Sequence, residues 1–251
     1  MIKNFTAEIL SNEAVADKIY RLIVAAEELA EISRAGQFVQ VKISDEFTLR
    51  RPLGIASAAD GRVKIFYRTV GRGTENLSTK KVGESLSILG ALGNGFTPRE
   101  GKVLLVGGGM GLAPLLCAAE QFTADVLIGG RTNGEVNFWC EEFRKHVGEI
   151  FLTTDDGSVG TKGFVTDLMP KILSGDYCAV LTCGPEIMMR GVAKIAAENN
   201  LPCEVSFEKR MACGLGACLS CSIDTVDGRK KVCKDGPVFN ADKVFGGVSH
   251  E

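Results

Sequence analysis

The sequence predicts a mixed β and α/β fold in three consecutive parts. An antiparallel β-barrel or sandwich comes first, a parallel-sheet unit of the nucleotide-binding kind second, and a small C-terminal segment built around a 2Fe–2S cluster third. Three observations predict it. Short apolar runs separated by turn residues fill roughly the first 95 positions. From Lys102 onward, apolar strands alternate with helical patterns. Near the end, Cys213, Cys218, Cys221 and Cys233 fall within 21 residues, spaced C-x4-C-x2-C-x11-C.

In the first part the clearest strands are Ala7–Leu10, Ile19–Val24, Gln37–Val41, Val63–Tyr67 and Leu86–Ile88. Their regular spacing, with Gly and Asp between them, is that of an antiparallel barrel or sandwich. One short helix is expected over Thr74–Thr79, with Thr74 as its N-cap. Phe96–Gly101, rich in turn and charged residues, reads as a linker. Strands then follow at Val103–Val106, Ala124–Ile128, Glu149–Leu152, Cys178–Leu181 and Glu204–Phe207. Helical patterns lie between them, among them Leu112–Phe122, Phe164–Leu173 and Glu186–Asn199, so the sheet should be parallel with helical crossovers. The last 44 residues are too few for a core of their own and are expected to depend on the cluster as a staple.

The first three cysteines match the plant-type 2Fe–2S run. Four thiolates must converge on two irons, so the backbone has to wrap tightly. Gly214 and Gly216 suit that wrap, because glycine reaches backbone angles closed to other residues. Small Ala212 and Ala217 would let loop N–H groups approach the sulfurs and tune the reduction potential. Structural zinc also takes four cysteines, usually as two short paired knuckles. The four-residue first gap, three ligands in one loop and apolar flanks favour iron–sulfur. Leu215 and Leu219 are apolar side chains in this loop, and a small tail cannot bury everything. They mark an expected docking surface.

With 45% apolar and 24% charged residues, the chain has a globular composition. A net charge of −2 without a basic stripe excludes the usual nucleic-acid footprint. No apolar run reaches 18 residues, and the N-terminus runs straight into a strand pattern without a signal-peptide core. A cytoplasmic protein with reduced cysteines is therefore expected. Of the remaining cysteines, Cys117, Cys140, Cys178 and Cys203 read as core thiols. His146 and His250 lack a matching carboxylate or nucleophile signature and receive no acid–base role. Phe138 and Trp139 read as core or interface, and Asp155-Asp156 as a turn.

Several motifs are individually ambiguous. Gly107, Gly108, Gly109 and Gly111 lie between a buried strand and a helix, where a pyrophosphate can approach unpaired N–H groups. A tight turn is the alternative, since the spacing is not G-x-G-x-x-G. Cys183-Gly184-Pro185 ends a parallel strand and opens a helix, the edge where open α/β sheets bind ligands. The alternative is a plain turn with Pro185 at the first helical position. Arg51-Pro-Leu-Gly-Ile-Ala-Ser57 and Tyr67-Arg-Thr-Val-Gly-Arg-Gly-Thr74 pair arginines with glycine or hydroxyl groups. The arginine fork suits phosphate, but a solvated charge beside a turn reads the same way.

Taken in order, these motifs resemble the ferredoxin–NAD(P) reductase superfamily, in which a flavin-binding barrel precedes a nucleotide domain. Leu92–Phe96, Glu208–Cys218 and Val232–Phe239 narrow the resemblance to the family of electron transfer subunits of NAD-dependent dihydroorotate dehydrogenase, over essentially the whole chain. The resemblance implies an FAD-binding β-barrel domain at 1–98, an NAD-binding α/β domain at 99–207 and a 2Fe–2S segment at 208–251. It implies FAD at Arg51, Pro52, Leu53, Gly54, Arg68, Thr69, Val70, Gly73 and Thr74, although Leu53 and Gly54 depart from the superfamily's commonest flavin motif. It implies NAD at Gly107–Gly111, Gly184 and Pro185, with Cys183 at the reacting nicotinamide, and the cluster on Cys213, Cys218, Cys221 and Cys233. The family's partner is an FMN-containing TIM-barrel catalytic subunit, two of each forming a heterotetramer in pyrimidine biosynthesis.

This fits the chemistry: nicotinamide exchanges a hydride, a cluster moves single electrons, and a flavin between them supports both. Electrons would run from the partner's FMN through the cluster and FAD to NAD⁺. A self-contained oxygenase reductase is disfavoured, because Cys233 follows Cys221 by only 12 positions. The flavin subunit of another NAD(P)H-linked complex, such as a bifurcating ferredoxin–NADP reductase, is the alternative. A zinc-binding interaction module is the non-enzyme alternative. Arg131 is placed where it could meet a 2′-phosphate, so NAD rather than NADP is a family expectation.

Overall fold

The computed structural model describes residues 2–173 and 176–246. His250 lies outside the described residues. Six antiparallel strands close a barrel: β1 (Lys3–Ala16), β2 (Ile19–Ala25), β3 (Phe38–Lys42), β4 (Arg51–Ala59), β5 (Arg62–Arg68) and β6 (Ser85–Leu92), in the order β1-β2-β5-β4-β3-β6. Leu22, Val24, Ile55, Val63, Ile65 and Ile88 belong to its core. Period-2 alternation in β5 and β6 puts their apolar side chains on one face, which is the pattern the sequence displays. A barrel, rather than a sandwich, leaves no open sheet edge.

Two short helices, α1 (Glu27–Ile32) and α2 (Arg72–Ser78), interrupt the barrel. α2 starts two residues earlier than expected, so Thr74 is inside the helix and is not its cap. Its hydroxyl accepts from the Val70 N–H at 2.9 Å and donates to the Gly71 carbonyl at 3.0 Å. It therefore ties the first turn to the preceding loop.

The second part is a seven-stranded sheet with helices on both faces. Its elements are β7 (Lys102–Gly108), α3 (Leu112–Gln121), β8 (Ala124–Gly130), α4 (Asn133–Phe143), β9 (Ile150–Thr154), β10 (Thr161–Lys162), α5 (Val165–Ile172), β11 (Tyr177–Cys183), α6 (Glu186–Glu198) and β12 (Cys203–Ser206). With β15 (Val238–Asn240) from the tail as the seventh strand, the order is β10-β9-β8-β7-β11-β12-β15, parallel except for the last pair. The chain runs outward from β7 through β8, β9 and β10, then returns to β11 on the other side of β7. The β7/β11 boundary is thus a topological switch point, and a crevice opens beyond the carboxyl ends of these strands. Cys183 pairs with Gly107 there. Pro185 precedes α6 as its cap residue instead of occupying its first turn, because its ψ of 134° is extended.

The barrel and this sheet are fixed to one another by packed and charged groups. Phe66 of the barrel meets Trp139 of α4 edge-on, with centroids 4.9 Å apart. Such a pair contributes about 0.5–1.5 kcal/mol beyond area burial. Glu142 accepts from Arg21 at 3.0 Å and Lys64 at 3.3 Å, and Ser57 donates to Glu120 at 2.7 Å. His146 lies 3.8 Å from Glu120, so it does have a carboxylate neighbour.

The tail comprises β13 (Ser222–Thr225), β14 (Gly228–Lys231), α7 (Val232–Asp235), β15 (Val238–Asn240) and α8 (Ala241–Phe245). It is anchored by more than a cluster. β15 pairs antiparallel with β12 and extends the main sheet. Cys221, Val232, Cys233 and Val244 share one apolar core with Phe38 and Leu92 of the barrel and with Leu104 and Val205 of the sheet. The Leu92–Phe96 stretch is a tether: Asn94 donates from its backbone to the Gly236 carbonyl at 2.6 Å and from its side chain to the Asp235 carbonyl at 2.9 Å. Gly93, at φ +73°, passes so close that a Cβ would meet the Gly236 oxygen at 2.4 Å.

Candidate functional site

A single cavity of about 860 Å³ touches all three parts of the chain. Barrel residues Arg51, Pro52, Leu53, Gly54, Arg68, Val70 and Thr74 line one side. Met110, Ala113, Pro114 and Cys183 of the nucleotide unit line another. Phe207 to Met211 line the third and lead directly to Cys213. The volume suits a large cofactor.

On the barrel side, Gly73 does not line the cavity but supports it. A Cβ there would sit 2.4–2.7 Å from the Arg51 guanidinium, so only glycine lets this arginine lie over the loop. Arg51 also lies 5.2 Å from the Phe47 ring centroid. The Arg68 Nε is buried without a hydrogen-bond partner among the described residues. Arg51 and Arg68, the latter with an orphaned donor, fit the cavity to an anionic, aromatic ligand such as FAD. Thr69 lies outside the cavity wall, with its backbone N–H on the Lys18 carbonyl at 2.9 Å.

On the nucleotide side the four glycines separate into two kinds. A Cβ at Gly107 would meet Leu115 at 2.6 Å, and one at Gly111 would meet the Cys183 carbonyl at 2.5 Å. These two let α3 close onto the ends of β7 and β11. Gly108 packs near Gly129 and Met188, whereas Gly109 has φ +59° and open space around it. Gly184, at φ +149°, approaches the Gly108 carbonyl, and Pro185 is exposed beyond it. Cys183 is fully buried, and burial pushes its thiol pKa well above the ordinary value. It is a neutral wall group. Glu208, two positions beyond the end of β12 at Ser206, lines the cavity together with Cys183 and was not anticipated from sequence. It opens onto the cavity, and desolvation by the surrounding protein raises its carboxyl pKa. Its place after a sheet strand is the signal that marked it. Arg131 is engaged by Glu135, which accepts its backbone N–H at 3.0 Å and its Nε at 2.8 Å.

The cluster loop gathers all four cysteines. Gly214 and Gly216 have φ of +69° and +77°, the angles expected for a tight wrap. Cys213 faces Cys218, and Cys221 faces Cys233. Among the described residues no three ligating side chains converge on one point. Two facing pairs are the donor arrangement for two irons, each taking two thiolates. Backbone N–H groups converge on the sulfurs: Leu215 and Cys218 donate to Cys213 at 3.3 and 3.4 Å, Gly216 to Cys233 at 3.1 Å, and Cys233 to Cys221 at 3.4 Å. Burial raises the Cys213 thiol, but these donors outweigh it and bring the pKa down to about 6. A thiolate is the ligating form. Leu215 and Leu219 remain 46% and 65% exposed at the rim.

A family model described as the iron–sulfur cluster binding domain of dihydroorotate dehydrogenase B matches residues 208–245. The electron transfer subunit of NAD(+)-dependent dihydroorotate dehydrogenase B from Clostridium acetobutylicum is 42% identical over 95% of this chain and 96% of its own length. The chain belongs to this family. The corresponding subunit from Caldanaerobacter subterraneus subsp. tengcongensis is 37% identical over 95% of the chain and 97% of its own. Among solved structures, an NADH-dependent reduced ferredoxin–NADP oxidoreductase that performs flavin-based electron bifurcation matches with a TM-score of 0.86 and 30% identity, covering 95% of this chain and 89% of that one. A ferredoxin reductase of carbazole 1,9a-dioxygenase, at 20% identity and TM-score 0.67 over 80% of this chain and 67% of its own, shares the fold. The dihydroorotate dehydrogenase family is favoured over the bifurcating alternative by the match in the cluster segment and by the higher identity. No helix among the described residues is long and apolar enough to cross a membrane.

Proposed function

We propose that this chain is the electron transfer subunit of an NAD-dependent dihydroorotate dehydrogenase. It relays electrons from a catalytic subunit, through its 2Fe–2S cluster and FAD, to NAD⁺ in de novo pyrimidine biosynthesis. The observation that carries the reading is the one cavity bordered by the barrel arginines, by Cys183 at the sheet's switch point and by the approach to Cys213. FAD, when bound, supplies the exchange between two-electron and one-electron chemistry.

The chain's own residues hold and shield. Arg51 and Arg68 neutralise the cofactor's phosphates, with Gly73 and Thr74 shaping that loop. Pro52, Leu53, Gly54 and Val70 line the cavity and would wall the flavin, and Thr69 fixes the strand end beside them. Gly108, Gly109, Gly184 and Pro185 leave room for the dinucleotide, while Gly107 and Gly111 keep α3 close. Cys183 presents a neutral, water-excluding surface to the nicotinamide. Cys213, Cys218, Cys221 and Cys233 ligate the cluster, and their loop presents Leu215 and Leu219 to the partner. The partner is a TIM-barrel subunit carrying FMN, two of each chain form the complex, and the complex works in the cytoplasm. The units divide at 98/99 and 207/208.

The test is reconstitution. The lone chain, holding FAD and cluster, should reduce dyes with NADH yet leave dihydroorotate untouched. Addition of the catalytic subunit should establish dihydroorotate–NAD⁺ turnover. Dihydroorotate oxidation by the lone chain, or stoichiometric zinc in place of iron after anaerobic purification, would sink the reading.

A further inference from the structure

Gln40 lies on β3 with its side chain fully buried, and neither Nε2 nor Oε1 has a hydrogen-bond partner among the described residues. Buried primary amides are normally paired, so a wholly orphaned one points to a group that the polypeptide does not supply. Three features aim it. The β3–β6 pairing slips between Phe38, opposite Leu92, and Gln40, opposite Leu89, and such a bulge redirects a side chain. Arg50 pins the backbone at this point, donating to the Gln40 carbonyl at 3.2 Å and the Ser87 carbonyl at 2.8 Å. The amide lies against the cluster loop: a Cβ on Gly214, the residue after Cys213, would come within 2.7 Å of Nε2. Gln40 is not part of the cavity wall, yet its β4 neighbour Pro52 is. The residue therefore stands between the strand that borders the cavity and the loop that holds the thiols.

We propose that Gln40 is a cluster-contacting residue whose Nε2–H donates a hydrogen bond to a sulfur of the 2Fe–2S group on the Cys213 side and thereby raises its reduction potential. This rests on the loop being an iron–sulfur site. The reduced cluster carries one more negative charge than the oxidised one, so a donor to its sulfur favours reduction.

The experiment is a redox titration of the holo complex, followed by EPR of the reduced cluster, in Gln40→Met and Gln40→Glu. Methionine keeps length and apolar volume without a donor; glutamate keeps shape and removes both donors when ionised. The cluster potential should fall in both, further in Gln40→Glu. The fall should redistribute electrons between cluster and flavin by about tenfold, or about 59 mV for one electron. FAD content and FAD potential should not change. An unchanged cluster potential in folded Gln40→Met overturns the proposal, as does a shift confined to FAD. If both variants lose the cluster, wild-type protein labelled with ¹⁵N in glutamine side chains decides. Gln37 and Gln121 direct Nε2 to the Gly93 carbonyl and the Cys117 thiol, so a ¹⁵N coupling in pulsed EPR reports Gln40. Its absence overturns the proposal. Wild-type protein without any reduced 2Fe–2S signal would instead refute the iron–sulfur reading beneath it.

Discussion

Two regions, the wall of the cavity at Cys183 and the loop that its third wall leads to at Cys213, use the same side chain in opposite ways. At the switch point of the sheet, Cys183 is fully buried and its thiol is pushed up, so it stays neutral. At the tail, Cys213 accepts N–H groups from Leu215 and Cys218 and its thiol is drawn down to about 6. One end is enclosed by packing against α3; the other carries apolar Leu215 and Leu219 outward. Two-electron exchange with a diffusible dinucleotide benefits from a dry, closed wall. One-electron transfer to another protein needs a charged cluster close to a surface that can dock. Backbone donors outweigh burial at Cys213 but not at Cys233, whose buried thiol is pushed up to about 12 although it accepts the Gly216 N–H.

Removing a ligand should break the comparison most completely. Cys213→Ala should lose its iron and its dihydroorotate–NAD⁺ turnover, while FAD content and NADH-to-dye activity persist, because the cavity's barrel wall does not include Cys213. Iron analysis beside the two assays checks it; full dihydroorotate turnover without iron would mean that electrons bypass the tail.

Leu215→Glu tests the outward face. A charge placed at the centre of an apolar docking patch typically costs about 2 kcal/mol, close to 30-fold in Kd. Titration of the catalytic subunit onto the variant should show that weakening with dye activity retained. Normal assembly would move the interface away from the cluster loop.

Cys183→Ala tests the enclosed end. Losing the neutral wall should slow flavin reduction by NADH about tenfold, or ~1.4 kcal/mol, in stopped-flow absorbance. Cluster content should be unchanged. In the wild type that rate should show no thiol ionisation near the ordinary value of 9, because the buried thiol is held neutral well above it. The sign for stability follows. Cys183, with Cys117 and Cys203 pushed up to about 12, stabilises the fold fully below the unfolded thiol value. That stabilisation is lost as pH rises beyond it, since only the unfolded chain can then ionise freely. Thermal stability should therefore fall above pH 9, less steeply in Cys183→Ala.

Much of this was legible in the sequence, and unevenly so. Alternation exposed β5 and β6, and apolar runs exposed β7 and β11. The cysteine spacing pointed to one loop, and the structure gathers Cys213, Cys218, Cys221 and Cys233 there, with backbone N–H groups on the sulfurs of Cys213, Cys221 and Cys233. β4 was hidden: Arg51-Pro-Leu-Gly breaks alternation, since one side of it faces the cavity instead of a continuous core. Gln40 was invisible for a related reason. A glutamine in an alternating strand reads as solvent-facing, and only a segment more than 170 positions later covers it. Thr74 looked like a helix cap because Gly-Thr-Glu suits one, but its hydroxyl binds backward to Val70 and Gly71.

The smallest expected effect sharpens the enclosed end at its rim. Arg131 follows β8, where a dinucleotide's adenosine ribose is recognised in sheets of this kind. Its fork is not free: Glu135, in the first turn of α4, accepts its Nε and backbone N–H, and the ion pair holds the Glu135 carboxyl below its ordinary range. A carboxylate there repels a 2′-phosphate and occupies the arginine that would bind it. Glu135→Gln keeps the acceptor and removes the charge. The pair is largely solvent-facing, so screening keeps its worth small. The ratio of kcat/KM for NADPH over NADH in dye reduction should then rise about fivefold, with flavin and iron content unchanged. A ratio that stays fixed would show that the ribose end lies elsewhere along the sheet, and the enclosed end would then include only the nicotinamide half of the dinucleotide.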